Sequence, residues 1–404
     1  MTNNSSPLHS LREGHWFKLI CGASFQHLPA VKNLTLVYTL AGADCIDVAA
    51  DPAVIAAAKE ALDMALTFGE EAQRRGFGFK NLPLLMVSLN DGEDPHFRKA
   101  EFNATECPTE CPRPCESICP AQAIVFDRLN NNFSGVLDQL CYGCGRCIPI
   151  CPSDLIFTRA YVSTPEAVAP LVLQTSVDAV EIHTQVGRLA DFQRLWGAIA
   201  PWLHQLKAIA ISCPDGEGLI NYLWSLYDLM KPLPCELIWQ TDGRPMSGDI
   251  GTGTTHAAIK LGKKVLAAGL PGYVQLAGGT NSHTVTKLKA VDLLNGKFGD
   301  GATTLPENPR PQYLTETQTQ NYIAGIAYGS FARVMLSPIL DRLETAAPKT
   351  DSLSASLILP QQRVNLEDHP ELLWQAVALA DTLVSQIKST VKSRLTTDEI
   401  EVSL

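Results

Sequence analysis

Eight of the chain's twelve cysteines fall between positions 107 and 151, and their spacing constrains the fold more than any other feature. The second half of that stretch runs Cys141, Cys144, Cys147, Cys151, Pro152, which is the C-x₂-C-x₂-C-x₃-C-P spacing of iron–sulfur ligands. The first half is a stretched copy, with three residues in every gap: Cys107, Cys111, Cys115, Cys119, Pro120. A short apolar segment follows each half, Ala123–Phe126 and Leu155–Phe157, so the repeat includes a strand as well as ligands.

Three cysteines two residues apart let a tight loop wrap one corner of a cubane, while the fourth, before the proline, ligates the other cluster in two-cluster ferredoxins. Cys141, Cys144, Cys147 and Cys119 are therefore expected to hold one cluster, and Cys107, Cys111, Cys115 and Cys151 the second. Gly143 and Gly145 bring backbone N–H groups close to the sulfides, where they tune the potential. At least one cluster is expected to be [4Fe-4S]. The looser Cys107–Cys115 loop fits either a second [4Fe-4S] cluster or a [3Fe-4S] one. A zinc site ordinarily uses four cysteines in two knuckles rather than eight in two pseudo-repeats. A disulfide framework suits small secreted chains, whereas 404 residues can build their own core.

The formal net charge of −10 argues against nucleic acid as a partner, because phosphate recognition needs a basic stripe. No apolar run reaches the roughly 18 residues of a membrane span. The polar first sixteen residues lack the apolar core of a signal peptide. A soluble, cytoplasmic protein is expected. Cys21, Cys45, Cys213 and Cys235 stand singly among apolar residues and read as buried thiols.

Outside the cysteine segment, short apolar strands alternate with amphipathic helical stretches, the pattern of βαβ units. The candidate strands are Phe17–Cys21, Cys45–Ala49, Pro83–Leu89, Ala179–His183, Ala208–Ser212, Glu236–Gln240, Tyr273–Ala277 and Ile323–Tyr328. Asp51-Pro52 followed by Ala53–Phe68 has an N-cap aspartate and a proline at the first helical position. Eight such strands predict an α/β fold, a (β/α)₈ TIM-barrel-like domain, with an open doubly wound sheet as the alternative. The first three strands (1–95) and the last five (161–345) would flank a ferredoxin-like insertion (96–160). A linker and C-terminal helical segment (346–404) would follow, with the helix over Pro370–Val391. The insertion falls in a βα loop, and those loops form the face on which barrels carry their active sites.

Two glycine-rich strand ends, Ala277-Gly278-Gly279-Thr280-Asn281 and Tyr328-Gly329-Ser330, follow the seventh and eighth candidate strands. Barrels often grip phosphate there, so Gly278, Gly279, Gly329 and Ser330 are candidate cofactor contacts, with flavin mononucleotide (FMN) the cofactor in view. Tight βα turns would account for the same glycines. The run 247–253 is only loosely a nucleotide fingerprint and reads as a loop over the mouth. Asp47, Ser88, Glu181, His183, Ser212, Asp242 and Arg244 lie at strand ends, as either a catalytic set or a satisfied polar layer. His256 and His283 open helices and read as surface or capping residues.

The stretched Cys107–Cys115 run, the run from Cys141, the two glycine-rich ends and the stretch Asn365–Trp374 together resemble the light-dependent period (LdpA) family of cyanobacterial iron–sulfur proteins, over nearly the full length. The resemblance implies the eight cysteines as cluster ligands. It also implies redox sensing that feeds light-linked metabolic state to the circadian clock, in contact with clock-input and clock-complex proteins. It implies no catalytic residue. The barrel-mouth placement keeps a second function open, a flavin-linked iron–sulfur oxidoreductase acting on a small organic substrate, so enzymatic activity stays undecided from sequence.

Overall fold

The computed structural model describes residues 6–92, 97–119, 121–126, 133–160, 165–244, 251, 253–295, 321–345 and 365–398. Eight parallel strands close into a barrel. They are β1 (Trp16–Ile20), β2 (Cys45–Ala49), β3 (Leu84–Asn90), β8 (Ala179–His183), β9 (Ala208–Pro214), β10 (Glu236–Asp242), β11 (Tyr273–Ala277) and β12 (Gly325–Tyr328). Closure comes from β12 pairing with β1, Trp16 opposite Gly325 and Leu19 opposite Tyr328, so the open-sheet alternative does not hold. Strands β9 and β10 run two residues past the expected ends, to Pro214 and Asp242.

Alternation along each strand separates two environments. Phe17, Leu19, Ile46, Val48, Val87, Ile182, Ile211, Trp239 and Leu276 face the helical layer and join one continuous core. Trp16, Cys45, Met86, Ala179, Ala210, Ile238 and Tyr273 fill the lower interior of the barrel. Leu11 of α1 (Pro7–Arg12) joins that interior group. This short helix, set in a stretch that reads as merely polar, packs its buried leucine against the barrel's base.

The outer helices follow from caps and apolar faces. In α3 (Pro52–Arg74) the Asp51 carboxylate accepts the N–H groups of Ala53 and Val54 at 2.8 and 3.3 Å, as its N-cap position predicts. The C-terminal helix α11 (Pro370–Asp398) lays Leu373, Ala376, Val377, Ala380, Leu383, Val384 and Ile387 against α2 (Leu28–Leu40) and α10 (Ser330–Thr345). Trp374 stacks on Phe77 at 6.0 Å and lies under Arg75 at 4.7 Å.

The cysteine segment leaves the barrel after β3. Its first strand β4 (Arg98–Glu101) pairs antiparallel with its last, β7 (Phe157–Ala160), which brings the two ends of the segment together. Between them β5 (Ile124–Val125) pairs with β6 (Gly135–Val136). Ala100, Cys115, Ala123, Ile124, Cys141, Cys147 and Ile156 form a small core of their own. His96, Pro120, residues 346–364 and most of the run 247–253 lie outside the described residues. Among the described residues no helix is long and apolar enough to cross a membrane.

Candidate iron–sulfur centre and barrel mouth

All eight cysteines of the segment are free thiols. Burial raises the Cys147 thiol to about 12, reinforced by Cys144, Cys141 and Cys119. Cys144 is likewise raised, first by burial and then by Cys119 and Cys141. Cys107 is raised by burial together with Cys111 and Cys151, and Cys115 by burial with Cys151 and Cys107. Cys144 and Cys147 thus lie within electrostatic reach of Cys119 and Cys141, and Cys107 and Cys115 within reach of Cys151. As thiolates these sulfurs would repel one another, and the positive charge of iron would offset that repulsion.

Backbone N–H groups already point at sulfur: Ala100 donates to Cys141 Sγ at 3.4 Å and Ala123 to Cys119 Sγ at 3.2 Å. Such donors favour the more negative, reduced form of a cluster. Gly143 and Gly145 both have left-handed φ, 70° and 74°, which lets the loop turn without Cβ strain. Among the described residues no three His, Cys, Asp or Glu side chains gather as ligands of a single metal ion. The ligands of a cubane stand farther apart, because each binds a different iron.

The cysteine loop forms one wall of the barrel mouth. Tyr142, Gly143 and Cys144 line a cavity together with Gly278, Gly279, Thr280, Gly329 and Ser330. Its floor is Ser88, Glu181, His183, Gln240, Asp242 and Arg244. All four glycine-loop candidates therefore meet in one cavity. Gly278 and Gly279 are also required by the chain itself: both have positive φ, and an added Cβ would lie 2.8 Å from Arg244 N or Thr254 O. Gly329 has no such need, since a Cβ there would meet nothing nearer than 3.7 Å.

Beneath the floor lies a polar network in the barrel interior. Lys18 Nζ, fully buried, pairs with Asp47 Oδ2 at 3.0 Å and with Glu181 Oε2, and donates to Gln240 Oε1 at 3.1 Å. Gln240 Nε2 donates to Glu181 Oε1 at 2.6 Å, and Gln275 Nε2 to Gln240 Oε1 at 2.6 Å. Burial alone would strip the charge from Lys18, but Asp47 and Glu181 raise it above the ordinary lysine range. Burial pushes Asp47 up despite Lys18, whereas Lys18 and His183 outweigh burial and hold Glu181 low. His183 Nε2 lies 2.8 Å from Glu181 Oε1, an acid–base pair at the cavity floor.

Five of the seven sequence-flagged polar residues line the cavity; Asp47 and Ser212 lie one layer deeper, bonded to Ser88 at 2.8 Å and to Asp242. Cys21, Cys45 and Cys213 are buried and Cys235 is half-buried, while His256 and His283 are exposed. Lys18, Gln240, Gln275 and the link between Arg333 and Tyr142 were not foreseen. A lysine inside the apolar strand Trp-Phe-Lys-Leu-Ile, in phase with inward Trp16, was the available signal for the first. Arg333 holds its guanidinium 4.2 Å above the Tyr142 ring while Nη1 donates to Ile20 O and Cys21 O at 2.8 and 3.0 Å.

Comparison with known proteins accords with this arrangement. A model of the LdpA Fe-S cluster-binding domain matches residues 107–162, and a model of the light dependent period A C-terminal domain matches residues 171–386. The chain belongs to the light dependent period A family. It is 47% identical over 387 residues to light dependent period A of Synechococcus elongatus, covering 96% of this chain and 95% of that one. The LdpA cluster-binding region coincides with the segment that forms the cavity wall, and the LdpA C-terminal domain supplies β8 to β12 and the glycine loops.

Proposed function

We propose that this protein is an iron–sulfur redox sensor that carries light-linked metabolic state to the circadian clock through contact with clock-input and clock-complex proteins in the cytoplasm. The observation that carries it is the match to an Fe-S cluster-binding domain over residues 107–162, a segment whose Tyr142, Gly143 and Cys144 line the barrel mouth. Cys119, Cys141, Cys144 and Cys147 would hold one [4Fe-4S] cluster. Cys107, Cys111, Cys115 and Cys151 would hold the other, as [4Fe-4S] or [3Fe-4S]. Potentials set by sulfur hydrogen bonds, exposure and charge let such clusters follow the cell's redox poise. A partner that distinguishes the two charge states would then read it. The segment 96–160 acts as the sensing insertion, the barrel pieces 1–95 and 161–345 as its support, and 346–404 as a linker and helix.

One observation favours a second function. Gly278, Gly279, Gly329 and Ser330 share a cavity with Cys144, which is where FMN would sit in a flavin-linked oxidoreductase passing electrons between cluster and flavin. Anaerobic purification with iron, sulfide and flavin quantified, and electron paramagnetic resonance before and after reduction, separates the two. Two clusters without flavin support the sensor; stoichiometric flavin supports the oxidoreductase; absence of clusters defeats both.

A further inference from the structure

We propose that the groove between two outer helices, α8 (Thr255–Ala267) and α9 (Thr284–Ala290), is a docking surface for an acidic, amphipathic segment of a protein partner. Such a groove would serve the partner contact proposed above. No cysteine lines it, so it stands or falls apart from the cluster and flavin readings.

Charge sets these two helices apart from the rest of the chain. The sequence carries 42 acidic residues against 32 lysines and arginines. Yet α8 holds Lys260, Lys263 and Lys264, α9 holds Lys287 and Lys289, and neither contains Asp or Glu. Lys264 pairs with Asp215 at 2.5 Å, outside the groove. The groove itself has a volume of about 500 Å³ and combines His256, Lys260, Lys263 and Lys287 with the apolar Ile259 and Val291. Asp292 follows Val291 in the chain, but among the described residues no carboxylate lines the groove.

The placement of these groups indicates what they fit. Positions 256, 260 and 263 recur at helical spacing, so they share one face of α8. They spread over about 10 Å of helix axis rather than converging on one point. Lys287 is held on the other helix, its Nζ donating to Thr255 Oγ1 at 2.5 Å. Lys260 and Lys263 are exposed and make no hydrogen bond or ion pair among the described residues. Val291 leaves 39% of its surface exposed beside them. A row of cations along aliphatic carbon matches a segment that presents carboxylates and aliphatic side chains together. A small anion would need donors that converge. Nucleic acid fits less well, because the groove has neither arginine for bidentate phosphate contacts nor an aromatic ring for base stacking. A strand longer than the groove would also run onto a chain of net charge −10. A flat bilayer cannot enter a concave surface.

The test uses the full, cluster-loaded chain and a fluorescein-labelled synthetic peptide of about 16 residues, with Glu at i, i+4 and i+7 and Leu between them. Fluorescence anisotropy should show saturable binding that weakens as NaCl rises from about 0.05 to 0.5 M. The double variant Lys260→Glu, Lys263→Glu should weaken binding at least tenfold at unchanged iron content and melting temperature, and Val291→Asp should weaken it as well. If the double variant does not fold, Lys260→Gln and Lys263→Gln, each made alone, carry the test through a measurable loss of affinity. A peptide with lysine for every glutamate should not bind, and a single-stranded oligonucleotide or vesicles of anionic lipid should bind more weakly than the acidic peptide. No saturable binding of the acidic peptide overturns the proposal, as does binding indifferent to the lysine or Val291 variants. Oligonucleotide or vesicle binding as tight as that of the peptide overturns it too, and would assign the groove to that other class of partner.

Discussion

Cys144 faces two ways: it lies within electrostatic reach of Cys119, Cys141 and Cys147, and it lines the barrel mouth. Its replacement by serine should remove about half the iron, since only one of the two crossed sets is broken, and leave the other cluster's resonance signal intact. Loss of all the iron, or of none, would reject the ligand assignment. His15 makes a different prediction. Burial first, then Lys388 and His9, lowers its pKa from the ordinary 6.5 to about 4. Between those values the unfolded chain binds a proton that the folded chain refuses, so stability falls as pH falls. About 2 kcal/mol should be lost between pH 7 and pH 5 through this one residue. Denaturant titrations of His15→Asn should show a flatter pH dependence, and an unchanged slope would remove His15 from the account.

At the scale of elements, caps and apolar faces decide what each helix contributes. Asp51 closes the start of α3 with two backbone bonds and also accepts from Gln26 Nε2 at 3.3 Å. Asp51→Ala should destabilise the protein by about 1 kcal/mol. The stripe of α11 is buried against α2 and α10, so Leu373→Ala should cost roughly 2–5 kcal/mol by thermal or chemical unfolding. A loss under half a kilocalorie would mean that α11 detaches from the barrel in solution. Both helices were readable from their residues, because an N-cap and a 3.6-residue stripe are local patterns. Helix α1 was not, since six residues with one buried leucine carry too little periodicity to register.

For the whole molecule, the Lys18 network ties together strands far apart in sequence. Lys18→Met would leave Asp47 and Glu181 buried without their cation and should destabilise the barrel by about 3–5 kcal/mol. Adding Glu181→Gln should restore part of that loss, because fewer buried charges then lack a partner. An additive double variant would show that the pair is not coupled in the folded state. The strands themselves were legible, since inward and outward residues alternate within five to seven positions and β2, β8 and β11 begin and end where that pattern does. The spacing of the eight cysteines likewise determined by itself that the segment is built for iron and sulfur, because ligand geometry is local to each loop. Closure of the sheet, the seating of Cys144 over the mouth and the position of Arg333 against Tyr142 were decided only in three dimensions. Each is a contact between residues tens to hundreds of positions apart, and such pairing depends on the whole barrel being formed, which no short stretch of sequence encodes.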